Sequence, residues 1–292
     1  ILALEQRAGK DFNDHIKTEI LKKYSESFYG LHIVEHPTDI EGEVAGKGSN
    51  IAWAGKWTQK EIIDKLKIPY EKILVSAFDI DTLVYPEYFS RLTYVFLNTP
   101  NPLRSSYQPV PFYTNNIWEA PSFARVVAFA ATFWHTIRQE RYESATTFSS
   151  HSMPFQALVD IDFWQTNMVS EDSRIFWQCF LRYDGDYRIH PMHYPVSMDA
   201  AVAPGFWQTM VNVYKQQRRW GYGVENVPYF LFGFIKGKKI PKRLKWFYGF
   251  TGIEAFWSWG TNAIMIFVLG WLPILVGGDQ FRQNILSYNL PH

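Results

Sequence analysis

In the first part of the chain, the spacing of apolar residues is in some segments typical of helices and in others typical of strands. Apolar residues at helical spacing predict helices over residues 2–28 and 50–66. Short apolar runs at residues 31–34 and 73–78 predict strands, and the second run stops at Asp79. Strands that alternate with helices predict an α/β domain in which a mostly parallel sheet carries helices on both faces.

The middle of the chain continues this pattern after a proline-rich interruption. Residues 100–121 carry five prolines and are expected to be irregular. Residues 155–163 predict another short strand, and further helices are predicted over residues 85–98, 122–140, 172–183 and 205–222. Ligands of such sheets bind beyond the carboxyl ends of the strands, so the polar residues that follow strands are the first candidates for a site.

The character of the chain changes after about residue 227. Six basic residues crowd into residues 236–245, aromatic residues follow, and residues 256–278 contain no charged residue. Roughly 20 apolar residues suffice to span a bilayer. Basic residues before such a run and aromatic residues at its edge predict a transmembrane helix with the basic stretch on the cytoplasmic side. The alternative is a buried helix in a soluble protein. We therefore expect one domain over residues 1–225 and a membrane-associated segment, with an amphipathic interface part and a transmembrane helix, over residues 226–292.

The composition and net charge limit the classes of ligand and partner that the protein could bind. The chain has 292 residues, enough for one large domain or two small ones, and its net charge of +1 gives no global electrostatic case for nucleic acid. An aromatic share of 18% suits carbohydrate faces and membrane interfaces equally well. Cys179 is the only cysteine, which excludes an intrachain disulfide. The chain starts at Ile1 without a methionine, so we expect it to be part of a longer protein.

Acidic triplets are the first candidates for metal chemistry, because hard divalent cations prefer carboxylate oxygens. Asp79 and Asp81 directly follow the strand predicted at residues 73–78 and are the best placed of three Asp-x-Asp triplets. The triplet at residues 160–162 also follows a predicted strand. The triplet at residues 184–186 contains a central glycine and is typical of a turn.

Two carboxylates open the helix predicted from residue 172. Ser170 precedes Glu171 and Asp172, which favours helix capping by the serine, with acidic residues at the positive end of the helix dipole. The functional interpretation is a carboxylate that projects from a helix start into a cleft and acts as a general base. The residues themselves leave both interpretations open, and capping is the commoner role.

Two basic motifs suit phosphate. In Gln-Gln-Arg-Arg-Trp at residues 216–220, an arginine can donate two hydrogen bonds to phosphate and an indole can stack on a sugar. A basic interfacial helix in contact with lipid headgroups is the alternative. In Gly-Lys-Gly-Ser-Asn at residues 46–50, Lys47 and backbone N–H groups before a helix can approach a phosphate, although glycine-rich turns are common.

The order of these motifs along the chain resembles glycosyltransferase family 2. Gly-Lys-Gly-x-Asn, a strand followed by Asp-x-Asp, Glu-Asp at a helix start and Gln-x-x-Arg-Trp before a membrane segment are most similar to the membrane-embedded, processive cellulose and hyaluronan synthases. The resemblance covers about residues 30–278. Gln-x-x-Arg-Trp is its most specific element and Asp-x-Asp its least specific.

The resemblance implies a role for each matching position. Asp79 and Asp81 would hold Mg²⁺ or Mn²⁺ on the diphosphate of a nucleotide sugar. Asp172 would be the catalytic base, with Glu171 beside it. Six further residues would bind the donor and the acceptor end: Lys47, Asn50, Gln108, Gln216, Arg219 and Trp220. Gln108 is included because the family often has a glutamine-containing strand at this place.

The resemblance also implies a fold and an activity. The fold is a nucleotide-diphospho-sugar transferase domain of the GT-A type, followed by interface and transmembrane helices. The activity is inverting, metal-dependent transfer of a sugar, most readily from a UDP-sugar, to a growing glycan at the cell membrane. The full-length protein would be multi-pass, with membrane lipids as partners and a cytoplasmic catalytic domain.

Departures from the family pattern keep two other functions open. Members of the family begin with a strand that ends in Pro-x-Tyr-Asn-Glu, and a later acidic residue recognises the base of the nucleotide. Neither feature occurs here. We therefore expect the first β-α unit to be missing from this chain. Ser170 also stands where the family more often has threonine. The alternatives are a non-processive transferase that loads a lipid carrier and an inactive nucleotide-sugar binding module.

Overall fold

The structure is a computed structural model, and it describes residues 1–277. The chain forms two compact units, one over residues 1–241 and one that begins at Lys242. The boundary that we expected after residue 225 falls inside the first unit. The candidate site residues all belong to this first unit, so its sheet and helices are the elements that position them.

The first unit contains a two-stranded and a five-stranded sheet. The smaller sheet pairs β1 with β2 in parallel, and the larger has the strand order β3-β6-β5-β7-β4. The strands of residues 1–277 are β1 (Leu2–Glu5), β2 (Ile33–His36), β3 (Leu74–Ser76), β4 (Leu83–Val84), β5 (Ser105–Phe112), β6 (Ser152–Pro154) and β7 (Arg188–Ser197).

Helices flank the sheets and follow the strands along the chain. The helix α2 continues through a short π-helical stretch at Gln59–Ile63 into α3. The α-helices of the described residues are α1 (Lys10–Tyr24), α2 (Lys47–Thr58), α3 (Asp64–Leu66), α4 (Tyr88–Asn98), α5 (Ser122–Glu140), α6 (Phe155–Asp160), α7 (Glu171–Arg182), α8 (Phe206–Gly221), α9 (Asn226–Lys236), α10 (Lys242–Leu269) and α11 (Leu272–Val276).

The mixed α/β class is confirmed, but the expectation of a mostly parallel sheet is wrong. Only β5 and β7 pair in parallel within the large sheet, whereas β3 with β6, β6 with β5, and β4 with β7 are antiparallel. The antiparallel strands β4 and β6 are two and three residues long. Strands this short carry too little periodicity to be recognised from sequence.

The prolines of residues 100–121 led to a wrong prediction for a strand in the middle of the large sheet. We expected residues 100–121 to be irregular, yet they contain β5, which lies between β6 and β7. Pro109 and Pro111 remove two N–H donors from this strand, and its register with β7 shifts between Gln108 and Val110. A local irregularity of this kind is the usual way for a sheet to accommodate proline.

Two further expectations about local structure are wrong. The helix predicted over residues 2–28 is strand β1 and helix α1, separated at Gly9, whose φ of 97° favours glycine. The strand predicted over residues 155–163 is helix α6, and the strand β6 lies just before it. Short apolar runs do not distinguish a strand from a buried helix, which explains the second error.

The most deeply buried helix of the first unit is α7, which carries Glu171 and Asp172 at its start. Ile175, Phe176, Cys179 and Phe180 on this helix are fully buried. Trp177 stacks on Phe230 of α9 with ring centroids 4.2 Å apart. Burial of this whole apolar face fixes the direction of α7 and therefore the position of its first turn.

The second unit begins with the long helix α10. No helix within residues 1–277 is both long enough and apolar enough to cross a membrane. The nearly continuous apolar helix expected over residues 256–278 is interrupted once in its described part, because α10 ends at Leu269 and α11 begins at Leu272. Thr261 and Asn262 also interrupt the apolar run inside α10. Gly278, the last residue of that expected helix, lies outside the described residues.

Gly48 permits the close approach of α2 to α7 that brings the site together. A methyl group at this position would lie 3.0 Å from Cβ of Glu171 and 3.3 Å from the backbone oxygen of Gln165. We expect Gly48→Ala to lower the free energy of unfolding by about 1–3 kcal/mol, because these atoms must move apart.

Denaturant unfolding of the full chain measures this effect. The matched control is Gly221→Ala near the end of α8, where the added methyl group meets no atom within 4 Å. That control should be neutral or stabilising by up to about 1 kcal/mol. Equal stability of both variants would contradict close packing of α2 on α7.

Candidate functional site

Three elements that are far apart in sequence meet at the ammonium group of Lys47. Lys47 is the first residue of α2, Asp79 follows β3, and Asp172 lies in the first turn of α7. Nζ of Lys47 is 2.5 Å from Oδ1 of Asp79 and 3.0 and 3.1 Å from the two carboxylate oxygens of Asp172. The structure therefore brings together three residues for which the resemblance implied metal-binding, donor-binding and base roles.

The electrostatics of this cluster follow from its partial burial. Burial alone would lower the pKa of Lys47, but the carboxylates of Asp172 and Asp79 outweigh it and raise that pKa. Burial alone would raise the pKa of Asp79, but Lys47 and the Ser149 hydroxyl, which donates a hydrogen bond to Asp79, lower it. The cluster is thus a charged ammonium group held between two carboxylates.

Asp81 lies in a different environment from Asp79. Its Oδ2 accepts a hydrogen bond of 3.2 Å from the backbone N–H of Asp199, and Asn115 donates to the Asp81 carbonyl and to the Asp199 carboxylate. Burial, and then the negative charges of Asp79 and Asp199, raise the pKa of Asp81. Carboxylates that repel one another in this way favour an added cation.

The carboxylates of Asp79 and Asp81 are the groups near Lys47 whose type is compatible with a divalent cation. Within residues 1–277 no group of three or more His, Cys, Asp or Glu side chains is arranged to hold a metal ion alone. Mg²⁺ in phosphate sites is usually held by one or two carboxylates, with waters and substrate oxygens completing its shell. Asp79 and Asp81 supply two carboxylates, although Oδ1 of Asp79 pairs with Lys47 and its Oδ2 accepts a hydrogen bond from Ser149.

Glu171 is buried beside the cluster. Only 6% of its surface is exposed, and its Cβ packs against Gly48 of α2. Burial and the negative charge of Asp172 raise the pKa of Glu171 to about 7, against the opposing effect of Lys47. A carboxyl group with this pKa is partly protonated at neutral pH.

The motif Gln-Gln-Arg-Arg-Trp lies at the end of α8. Arg219 is exposed, and its positive charge contributes to lowering the pKa of Asp79. The ring of Trp220 is partly buried, with centroid distances of 6.5 Å to Tyr113 and 6.2 Å to Phe148. Gln216 lies one turn earlier and is partly exposed. Arg219 is therefore within electrostatic reach of the cluster, while Trp220 packs on neighbouring aromatic rings.

Two of the expected donor-binding residues make other contacts. The side-chain amide of Asn50 donates to the backbone oxygen of Ala3, so its N–H group faces the β1 strand. Gln108 is buried, accepts a hydrogen bond from the Phe148 backbone N–H and donates to the Ser149 backbone oxygen. Gln108 therefore positions the segment that carries Ser149, which in turn contacts Asp79.

Sequence reasoning missed the polar segment before β6. Besides Ser149, this segment contains His151, which is fully buried and has its Nδ1 2.8 Å from the Phe148 backbone oxygen. Its Nε2 has no hydrogen-bond partner among residues 1–277. Burial lowers the pKa of His151, although the charges of Asp172 and Asp79 oppose this. The sequence Ser-Ser-His-Ser at residues 149–152 is unusually polar for a strand entry and was the available indication.

The remaining acidic triplets have structural roles. Asp160 accepts hydrogen bonds from Gln156 and Tyr183, and Asp162 pairs with Lys56 at 2.9 Å. Residues 183–185 form a turn in which Asp184 has a φ of 51°, which confirms the turn predicted there. Of the three triplets, the first is therefore the one with a member, Asp79, in contact with Lys47.

No protein-family model matches the sequence, and no curated protein is significantly similar to it. Function must therefore be argued from the site itself.

The raised pKa of Glu171 predicts a distinctive dependence of stability on pH. A carboxyl group whose pKa rises from 4.5 to about 7 on folding binds more protons in the folded state between these values. Its contribution to stability therefore falls as pH increases through this range. We expect Glu171→Gln to gain stability over the wild type at pH 8 and to lose this advantage near pH 4.5.

Unfolding free energies at pH 4.5 and pH 8 measure that difference. The control Glu26→Gln replaces an exposed carboxyl group after α1 and should show no such change between the two pH values. A Glu171→Gln effect that is independent of pH would mean that Glu171 stays ionised in the folded protein.

Proposed function

We propose that the chain is the catalytic part of an inverting glycosyltransferase that takes a sugar from a nucleoside-diphosphate sugar, most readily a UDP-sugar. The observation that carries the proposal is the ammonium group of Lys47 between Asp79 and Asp172. Inverting transfer requires a carboxylate near the acceptor hydroxyl and cationic groups near the diphosphate. Both kinds of group meet here although they come from distant parts of the chain.

The proposed reaction is a single displacement at the anomeric carbon. An acceptor hydroxyl attacks that carbon, its proton passes to the Asp172 carboxylate, and the bond to the nucleoside diphosphate breaks with inversion. Lys47 and Arg219 are the cationic side chains that would stabilise the charge on the departing diphosphate. A divalent cation held by Asp79 and Asp81 would neutralise further phosphate charge when bound.

Lys47 also offsets the repulsion between two carboxylates of the site. Two unit charges about 4 Å apart near a protein surface interact by on the order of 4 kcal/mol. Without a cation between them, the carboxylates of Asp79 and Asp172, each in contact with Lys47, would repel each other. A bound diphosphate offers Lys47 new acceptors, so the ammonium group is positioned to exchange a carboxylate for a phosphate oxygen.

The acceptor is proposed to be a growing glycan at a membrane. In the second unit, Trp246, Phe250 and Trp257 on α10 are exposed, and basic residues lie at the start of the same helix. Aromatic rings next to lysine and arginine are typical of segments at a membrane interface. This composition supports association with membrane lipids as part of the proposed function.

The role of Asp172 can be tested by turnover of the full-length protein with UDP-sugars and Mn²⁺. We expect Asp172→Asn to fold and to bind UDP while turnover falls by roughly 10²-fold or more. The matched control is Asp162→Asn, an exposed aspartate that pairs with Lys56, and it should keep full turnover.

The outcomes separate the alternatives. Retained turnover in Asp172→Asn would contradict the base role. Saturable UDP binding without turnover in the wild type would indicate a nucleotide-sugar binding module instead. Products longer than one added sugar would indicate processive synthesis, whereas single addition to a lipid would indicate loading of a carrier.

A further inference from the structure

A buried arginine connects the start of α7 to the segment that follows α8. Arg174 is 6% exposed. Its Nε donates to Oδ1 of Asn226 at 2.6 Å, one terminal nitrogen donates to Oε1 of Gln165 at 2.9 Å, and the other donates to the backbone oxygen of Glu225 at 3.2 Å. The guanidinium carbon also lies 3.8 Å from the centroid of the Tyr229 ring.

The residues on either side of Asp172 make a second set of bonds to the same segment. The hydroxyl of Ser170 donates to Oε1 of Glu225 at 2.7 Å instead of capping α7. The amide of Asn226 donates to the hydroxyl of Ser173 at 2.8 Å. Ser170 and Ser173 thus attach the first turn of α7 directly to the junction between α8 and α9.

Burial of the Arg174 charge among neutral acceptors costs hydration free energy, so these contacts are a poor source of stability. Its three acceptor oxygens belong to neutral groups, and no ion pair found within residues 1–277 includes Arg174. A buried charge loses hydration that such partners replace only in part, and well-packed apolar residues are often at least as stabilising. What a planar guanidinium adds is a fixed geometry among several partners.

The segment bound by Arg174 is short and close in sequence to the Gln-Gln-Arg-Arg-Trp motif at residues 216–220. Only the 3-10 turn Tyr222–Glu225 separates the end of α8 from Asn226 at the start of α9. Arg219 and Trp220 lie at the end of α8, five or six residues before Glu225. A constraint at Glu225 and Asn226 therefore restricts the position of Arg219 relative to Asp172.

We infer that Arg174 is a positioning residue that fixes the end of α8, with Arg219 and Trp220, against the first turn of α7, with Asp172. Its chemical role rests on the proposed function, whereas its mechanical role does not. Arg174 contacts neither Lys47 nor Asp79 through any hydrogen bond or ion pair found among the described residues. It acts through the α8–α9 junction.

Hydrogen exchange of the full-length protein tests the mechanical role. We expect Arg174→Met, which keeps the buried volume but removes the donors, to accelerate amide exchange of residues 214–226 by about tenfold or more, because this segment opens more easily. Amides of β5 and β7 should exchange as in the wild type. The control Arg182→Met removes an exposed arginine from the same helix and should leave residues 214–226 unchanged.

Wild-type exchange of residues 214–226 in folded Arg174→Met would overturn the inference. Should that variant fail to fold, Arg174→Lys keeps the charge with fewer donors, and the same comparison applies to it. Acceleration spread equally over β5, β7 and residues 214–226 would also overturn it, since it would indicate a purely structural role.

Turnover with UDP-sugar and Mn²⁺ tests the chemical role separately. We expect kcat per folded molecule to fall about tenfold or more in Arg174→Met, because misplacement of catalytic groups by about 1 Å has large effects on rate. An unchanged kcat would overturn the chemical role. A wild type without turnover would reject the proposed function, and the exchange data would still decide whether Arg174 fixes α8.

Discussion

The arrangement of the candidate site depends on one cation, the ammonium group of Lys47. Two carboxylates, Asp79 and Asp172, approach the same point from different elements, and they can do so only because a positive charge lies between them. The first turn of α2, the end of β3 and the first turn of α7 must therefore keep a fixed relation. Gly48 permits this relation by leaving room for Glu171.

The rest of the first unit holds these three elements in place. Burial of the apolar face of α7 sets its direction, while Gln108 in β5 fixes the segment that carries Ser149 and thereby one oxygen of Asp79. Arg174 extends the same constraint to the end of α8. The site is thus supported by polar contacts behind its charged groups, an arrangement that keeps such groups in a productive geometry.

Much of this organisation could be predicted from the sequence, and the failures have physical causes. The long periodic helix α5 matches its predicted range, and α7 and α8 differ from theirs by one residue at each end, because helix periodicity is strong over such lengths. The strands β5 and β7 were missed because both contain two prolines, whose effect on local propensity is overridden by pairing in the sheet.

The candidate site was predicted in part. Three of the residues singled out in the sequence, Lys47, Asp79 and Asp172, are in contact, and their assigned roles stay a prediction. Asn50 contacts β1, and Gln108 acts through Ser149. Ser149 contacts Asp79, which lies 70 positions away in the sequence, and Arg174 contacts Asn226, which lies about 50 positions away. No local sequence pattern encodes contacts between such distant residues. A single sequence gives the types of residue available, and the fold decides which of them meet.

The most direct test of the account is a calorimetric titration of UDP into the full-length protein with and without Mn²⁺. The account predicts saturable binding that is much tighter with Mn²⁺, because Asp79 and Asp81 would hold the cation against the diphosphate. The same titration of Asp79→Asn should show little difference between the two conditions. Binding that is indifferent to Mn²⁺ in the wild type, or no binding at all, would contradict the account.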